Sequence, residues 1–229
     1  MAAAPIKILT SMATREALQA LADAYPDAAA RPIAIENIGG VKAAERVRGG
    51  EVLDVIVLAD NVIDGLIAEG KLRPGRFDFA SSGVTMCVPK GRALPNISNG
   101  DAVKQAVLAA TAVCYSTGPS GVYLEKLFAQ WGIADALKSK LVVAPPGVPV
   151  GGLVAEGKAD LGFQQLSELI HLSGIEIVGG LPPDIQKRTM FSAGIPVAST
   201  NPEGARAVLA YMTAPAAADL KRKNGMEPA

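Results

Sequence analysis

The chain has 229 residues with a formal net charge of zero at pH 7; 49% of residues are hydrophobic and 19% charged. That length supports one large domain or two small ones, each with its own core. The neutral balance argues against a nucleic-acid binder, which carries a basic surface, and no apolar run approaches the roughly 18 residues of a membrane helix.

Strand and helix alternate along nearly the whole chain, the pattern of an α/β protein. IKIL reads as a strand, followed by the helix TREALQALADAY with Ala17, Leu18, Leu21, Ala24 and Tyr25 on one stripe. PIAIEN is a second strand, GGVKAAERVRGG a short helix bracketed by glycines, and VLDVIVLA an apolar strand. NVIDGLIAEG is a helix stopped by Gly70. SSGVTMCVPKG leaves this first unit as a strand.

The second unit continues the alternation with DAVKQAVLAAT (helix), AVCYS (strand), SGVYLEKLFAQWG (helix), KLVVAP (strand) and VPVGGLVAEG (helix). ADLGFQ (strand), QLSELIHL (helix) and IEIVGGL (strand) follow. TMFSAGIPVA reads as a strand returning to the first unit. NPEGARAVLAYMT closes the chain as a helix, with Ala205, Val208, Leu209 and Met212 at helical spacing. The expected division is 1–82 with 192–229 as lobe one and 83–191 as lobe two. Strands crossing near Ser81–Val88 and Thr189–Val197 would join the lobes, with a ligand cleft between them.

Several strands end in small polar or glycine clusters that open a helix: Thr10-Ser11, Gly39-Gly40, Ala59-Asp60-Asn61, Ser116 to Gly121, and Gln164-Gln165. A helix N-terminus presents unpaired N–H groups and the positive end of its dipole, so hydroxyls and glycine backbones there can wrap an oxyanion. In open α/β sheets, ligands bind beyond the carboxyl ends of the strands. The expected ligand-binding residues are therefore Ser11, Gly39, Gly40, Asp60, Ser116, Ser120, Gln164 and Gln165. Each has an ordinary alternative. Ser11, Ser120 and Asp60 could be helix caps, and Gly39-Gly40 could be turn glycines. Strand neighbours face opposite ways, so one of Gln164 and Gln165 would point away from the ligand.

Other chemistries lack their residues. The single histidine, His171, is placed by no hydrolase motif, and the glycine-rich nucleotide fingerprints are absent. Cys87 and Cys114 sit in apolar runs and read as buried, inert thiols. No metal-ligand spacing appears, and no cofactor is expected. The N-terminus shows no secretory signal. The sequence as written reads as cytoplasmic; it would be periplasmic if a leader had been removed before AAAPIKIL.

KILTSMATREAL, GGVKAAERVRGGEVLDVIVLAD, FASSGVTMCVPKG, YSTGPSGVYLEKLFAQWGI and EGKADLGFQQLSEL together resemble the molybdate-type solute-binding proteins of ABC transporters. That family has a two-lobed type II periplasmic-binding fold and includes an aconitate-isomerase-like branch. The resemblance covers nearly the whole chain. It implies an α/β clamshell of mixed, mostly parallel sheets, with Ser11 on the ligand oxyanion. It also implies a small anionic ligand, an ABC permease as a possible partner, and neither nucleic-acid binding nor membrane insertion. The family's second serine is replaced by Gly39 or Gly40, its later tyrosine by Gln165 and its aspartate by Glu168. Loss of a hydroxyl donor to an anion costs about 1.5–3 kcal/mol, and glutamines suit a planar carboxylate better than a compact tetrahedral ion.

The expected function is thus binding of a small oxyanion, a di- or tricarboxylate rather than molybdate. The alternative is an isomerase that shifts the double bond of an unsaturated polycarboxylate by proton transfer. For that chemistry Glu168 and Tyr115 are the catalytic candidates, with Asp60 and His171 behind them. Arg15, Lys42, Arg46 and Arg188 are the cations that could reach a polycarboxylate.

Overall fold

In the computed structural model, which describes residues 4–229, helix and strand alternate as the hydrophobic pattern predicts. In chain order the first elements are β1 (Ile6–Thr10), a 3-10 turn (Met12–Thr14), α1 (Arg15–Asp23), β2 (Ile33–Asn37), α2 (Gly40–Arg48), β3 (Val55–Ala59), α3 (Asp60–Ala68) and β4 (Phe77–Pro89). The middle of the chain forms α4 (Gly100–Ala109), β5 (Val113–Ser116), α5 (Pro119–Gln130), α6 (Ala134–Leu137), β6 (Leu141–Ala144), α7 (Val150–Ala155), β7 (Leu161–Gln165), α8 (Leu166–Leu169) and β8 (Ile175–Gly180). It ends with β9 (Arg188–Gly194), α9 (Pro202–Thr213), α10 (Ala218–Lys223) and β10 (Glu227–Pro228). The reading of the first residues as free of a leader falls partly on residues 1–3, outside the described residues.

The chain divides into two compact units, one holding everything up to Ser81 and from Met190 onward, the other Ser82–Thr189. In unit one the strands run in the order β2-β1-β3-β9, with β1 parallel to β2 and β3 and β9 antiparallel to β3. Both faces of this sheet are covered. Ile6, Ile8, Val55 and Val57 pack with Leu18 and Leu21 of α1 and Val208 and Leu209 of α9. Leu9, Ile56 and Leu58 pack on the opposite face with Val47 of α2 and Ile63 and Leu66 of α3. The period-two alternation of strand side chains makes both layers from the same strands. Each fully buried Leu, Ile or Val contributes about 1.5–3 kcal/mol.

The chain does not finish at α9. The polar stretch after it forms α10, and β10 pairs antiparallel with the start of β4 through Glu227↔Ser81 and Pro228↔Ala80. These pieces are too short for their periodicity to be read. Lys221 of α10 is buried, donates to the Phe79 carbonyl at 2.7 Å and lies 4.6 Å from the centre of the Phe79 ring. Burial pushes its ammonium down to about 8.

In unit two, β7 runs parallel to β5, and β5 parallel to β6. The second half of β4 runs antiparallel to β7 and β8. Val113, Tyr115, Leu161 and Phe163 face Val103 and Val107 of α4 and Leu124 and Phe128 of α5. Cys87 and Cys114 face Val150 and Val154 of α7 and Leu169 of α8. Both thiols are free, and burial pushes them up to about 12 and about 11. No helix among the described residues is long and apolar enough to cross a membrane. The helix expected over QLSELIHL closes at Leu169, which leaves His171 exposed beyond it.

Candidate functional site

Parallel pairing sets the strand ends of unit one level. Thr10 pairs with both Asn37 and Val57, so Ser11, Gly39-Gly40 and Ala59-Asp60 follow strands that stop at one edge. The Ser11 N–H donates to the Val57 carbonyl at 3.2 Å, and the Ile38 N–H to the Thr10 carbonyl at 3.0 Å. Ser11 precedes the 3-10 turn but its hydroxyl caps nothing, and its Oγ is buried without a protein partner. The cap reading of Ser11 is therefore not what the structure shows. Gly39 is the extended residue before α2, and Gly40 is the first helical one. Asp60 is not a cap either: Ala59 takes that place, and the Asp60 carboxylate accepts the Asn61 N–H at 2.8 Å.

The same device recurs in unit two. Tyr115 pairs with Phe163 and Ser116 with Ala144, so Ser116 and Gln164 come at the ends of level strands. Ser116 Oγ accepts the Gly118 N–H at 3.3 Å, a serine turn that bends the chain into α5. The residue before α5 is Gly118, so Ser120 lies inside the helix, buried, and is not its N-cap. Gly121 is required here. A Cβ on it would stand 1.6 Å from the Ser116 carbonyl oxygen.

Gln164 and Gln165 are both buried and diverge, as strand neighbours must. Gln164 accepts the Val150 N–H at the start of α7 at 3.0 Å and donates through Nε2 to Glu168 Oε1 at 2.8 Å. Gln165 donates to Thr189 Oγ1 at 2.9 Å, and its Oε1 has no protein partner. The Ser167 N–H donates to Ser82 Oγ at 3.3 Å, while Ser167 Oγ is buried and unpartnered. Buried polar atoms without a partner are uncommon and each calls for a reason. Among the described residues, Ser11 Oγ, Gln165 Oε1 and Ser167 Oγ are three such atoms; Ser11 directly follows β1, Gln165 ends β7, and Ser167 lies in the short helix α8 that follows it.

Glu168 is the third residue of α8, with Gln165 before the helix, the spacing at which a glutamate reaches back to the helix start. Burial pushes its carboxyl up to about 7, against the opposing pull of the Gln164 amide and the Gln165 backbone N–H. No charged group contributes to that shift. Near neutral pH this carboxyl is therefore present in both protonation states, as a group that takes and returns protons requires.

Tyr115 stands apart from this group. Its hydroxyl donates to Glu125 at 3.1 Å and its ring packs edge-on to Phe128 in the core. Burial, with the Glu125 charge beside it, pushes the phenol up to about 12, the wrong direction for a base. Two of the four candidate cations, Arg15 and Arg46, are committed to ion pairs, and Lys42 is exposed. Arg46 is paired with Glu36 and Glu51, and Arg15 with Glu16 at 2.9 Å. Arg188 is exposed. Among the described residues there is no cluster of His, Cys, Asp and Glu that could hold a metal. Thr189, Ser82 and the Val150 N–H were not legible as site residues, because only the folded chain brings them to Gln165, Ser167 and Gln164.

The sequence pattern described as bacterial extracellular solute-binding protein matches residues 6–227. Aconitate isomerase from Pseudomonas sp is 36% identical over 238 residues, covering 100% of this chain and 90% of that protein. The molybdate-binding protein ModA from Escherichia coli (strain K12) is 26% identical over 107 residues, 47% of this chain and 41% of that one. The periplasmic molybdate-binding protein of Azotobacter vinelandii superposes with a TM-score of 0.79 at 21% identity, over 96% of this chain and 98% of that chain, and so shares the fold. The resemblance carried by the five sequence blocks is borne out by the molybdate-binding and aconitate-isomerase relatives, and this chain belongs to the bacterial extracellular solute-binding protein family.

Proposed function

We propose that this protein is an isomerase that shifts the double bond of an unsaturated tricarboxylate of the aconitate type. The observation that carries the reading is Glu168. It is a carboxyl in the short helix that follows β7, pushed by burial up to about 7, in a chain that matches an aconitate isomerase over 100% of its own length. In the proposed reaction the Glu168 carboxylate removes a proton from the methylene next to a substrate carboxylate. The electron pair spreads over the allylic carbons and the attached carboxylate. Protonated Glu168 then returns the proton to the far allylic carbon, so that the double bond has moved and nothing is gained or lost. Each unit, taken by itself, carries hydroxyl and N–H donors suited to carboxylates at or just after its strand ends: Ser11, Gly39 and Gly40 in unit one, and Ser116 and Ser120 in unit two. Tyr115 has no role in this scheme.

A second reading is supported by the family's description and by the molybdate-binding relative. In it the protein works outside the bacterial cytoplasm as a binding protein that holds a small anion and delivers it to an ABC permease.

Proton NMR of the vinyl resonances of trans-aconitate, with and without the protein, separates the readings. Protein-dependent appearance of the cis isomer supports the isomerase. Saturable binding of either aconitate without conversion supports the binding protein. Calorimetric binding of molybdate with no effect on aconitate would overturn both carboxylate readings.

A further inference from the structure

The orientation of the Gln164 amide is not free. The Val150 N–H, which can only donate, meets Gln164 Oε1 at 3.0 Å, and this turns Nε2 toward Glu168 Oε1 at 2.8 Å. We infer that Gln164 is a positioning residue: its amide, anchored by the first N–H of α7, holds the Glu168 carboxyl in one orientation and leaves Oε2 as the oxygen that carries the proton. The inference rests on the isomerase reading of the same site. An oxygen that already accepts a short N–H bond is the less basic of the two, so proton uptake falls to the other. The Gln165 backbone N–H also donates to this carboxyl, closing the helix start.

No charged group contributes to the upward shift of the Glu168 carboxyl. Neither β7 (LGFQQ), α7 (VGGLVA) nor α8 (LSEL) carries a charged side chain apart from Glu168 itself. The anchor also explains why two adjacent glutamines end this strand with different tasks. Gln164 is committed at both ends of its amide, whereas Gln165 spends only its nitrogen, on Thr189.

The test is a carbon-13 NMR titration of side-chain carboxyls in the substrate-free protein, with the Glu168 resonance assigned by its loss in Glu168→Gln. In Gln164→Met the volume is kept and the donor removed, so the Glu168 midpoint should move up by about one to two pH units. The pH at which kcat/KM rises should move with it, while KM changes little. In Gln164→Glu one oxygen still accepts the Val150 N–H and the other faces Glu168, so two coupled titration steps should replace one. An unchanged Glu168 midpoint in Gln164→Met, or a single unshifted step in Gln164→Glu, overturns the inference. If Gln164→Met fails to fold by circular dichroism, the coupled steps in Gln164→Glu decide alone. A shifted titration in a protein that converts no aconitate would uphold the positioning role and overturn the isomerase.

Discussion

Replacing Glu168 by Gln should make the protein more stable in alkaline buffer and less able to move a proton. The Glu168 carboxyl titrates at about 7 in the fold, against an ordinary value of about 4.5. At about 1.36 kcal/mol per unit, that gap corresponds to a cost of about 3 kcal/mol for keeping the ionised group in the fold. The folded state binds this proton more tightly than the unfolded chain does. The cost is therefore absent below about pH 4.5, grows as pH rises to about 7, and is constant above. Glutamine has nearly the same shape and can still accept the Gln164 N–H, but it never ionises. Thermal unfolding followed by circular dichroism at pH 4 and pH 8 should show Glu168→Gln close to the parent at pH 4. At pH 8 it should be several degrees higher, since about 1 kcal/mol moves a chain of this size by roughly 2–4 °C. An equal difference at both pH values, or a variant less stable at pH 8, would refute the reasoning: the carboxyl would then not be held ionised at a cost.

Four further outcomes follow from the same structure. If Glu168 is the base, kcat/KM for aconitate should climb as pH rises through about 7, because the carboxylate form must be present to take the proton. Ser11→Ala removes a hydroxyl that has no protein partner. Its unfolding midpoint should stay put, while calorimetric affinity for a saturated tricarboxylate analogue falls roughly ten- to a hundredfold. Gly121→Ala forces a Cβ to within 1.6 Å of the Ser116 carbonyl oxygen, so urea unfolding should show a loss of more than about 3 kcal/mol. Lys221 binds its proton less tightly in the fold, at about 8, than its ordinary 10.5. Between those pH values the parent should gain stability as pH rises, and Lys221→Met should abolish that slope in thermal melts.

The α/β alternation was legible because strands buried on both faces leave unbroken apolar runs such as VIVLA, while helices such as α1 show one apolar stripe. The strand-end clusters were legible because parallel strands deliver their helix starts to one edge. Register confirms this separately in each unit. What the residues at those edges do was less readable. Serine before a helix predicts a cap, yet Ser11 caps nothing and Ser120 lies inside its helix; only the folded geometry shows the difference. The Glu168–Gln164 pair is four residues apart and lay within reach of sequence reasoning. The Gln165–Thr189 contact spans 24 residues, and no local pattern encodes it. Tyr115 looked available at the end of its strand. Strand parity turns it into the core toward Glu125 and Phe128, where its proton is held more tightly. The last turn of the chain was missed because α10 and β10 draw their stability from packing on β4 rather than from their own pattern.

The central claim is that Glu168 takes a proton from an unsaturated tricarboxylate and gives it back at another carbon. Its most direct test is deuterium uptake from heavy water into trans-aconitate, followed by NMR for the parent and Glu168→Gln side by side. The account predicts uptake and isomerisation with the parent and a loss of at least about a hundredfold in Glu168→Gln, the lower end of what a positioned acid–base group contributes. Uptake undiminished in Glu168→Gln, or none with the parent, would contradict it.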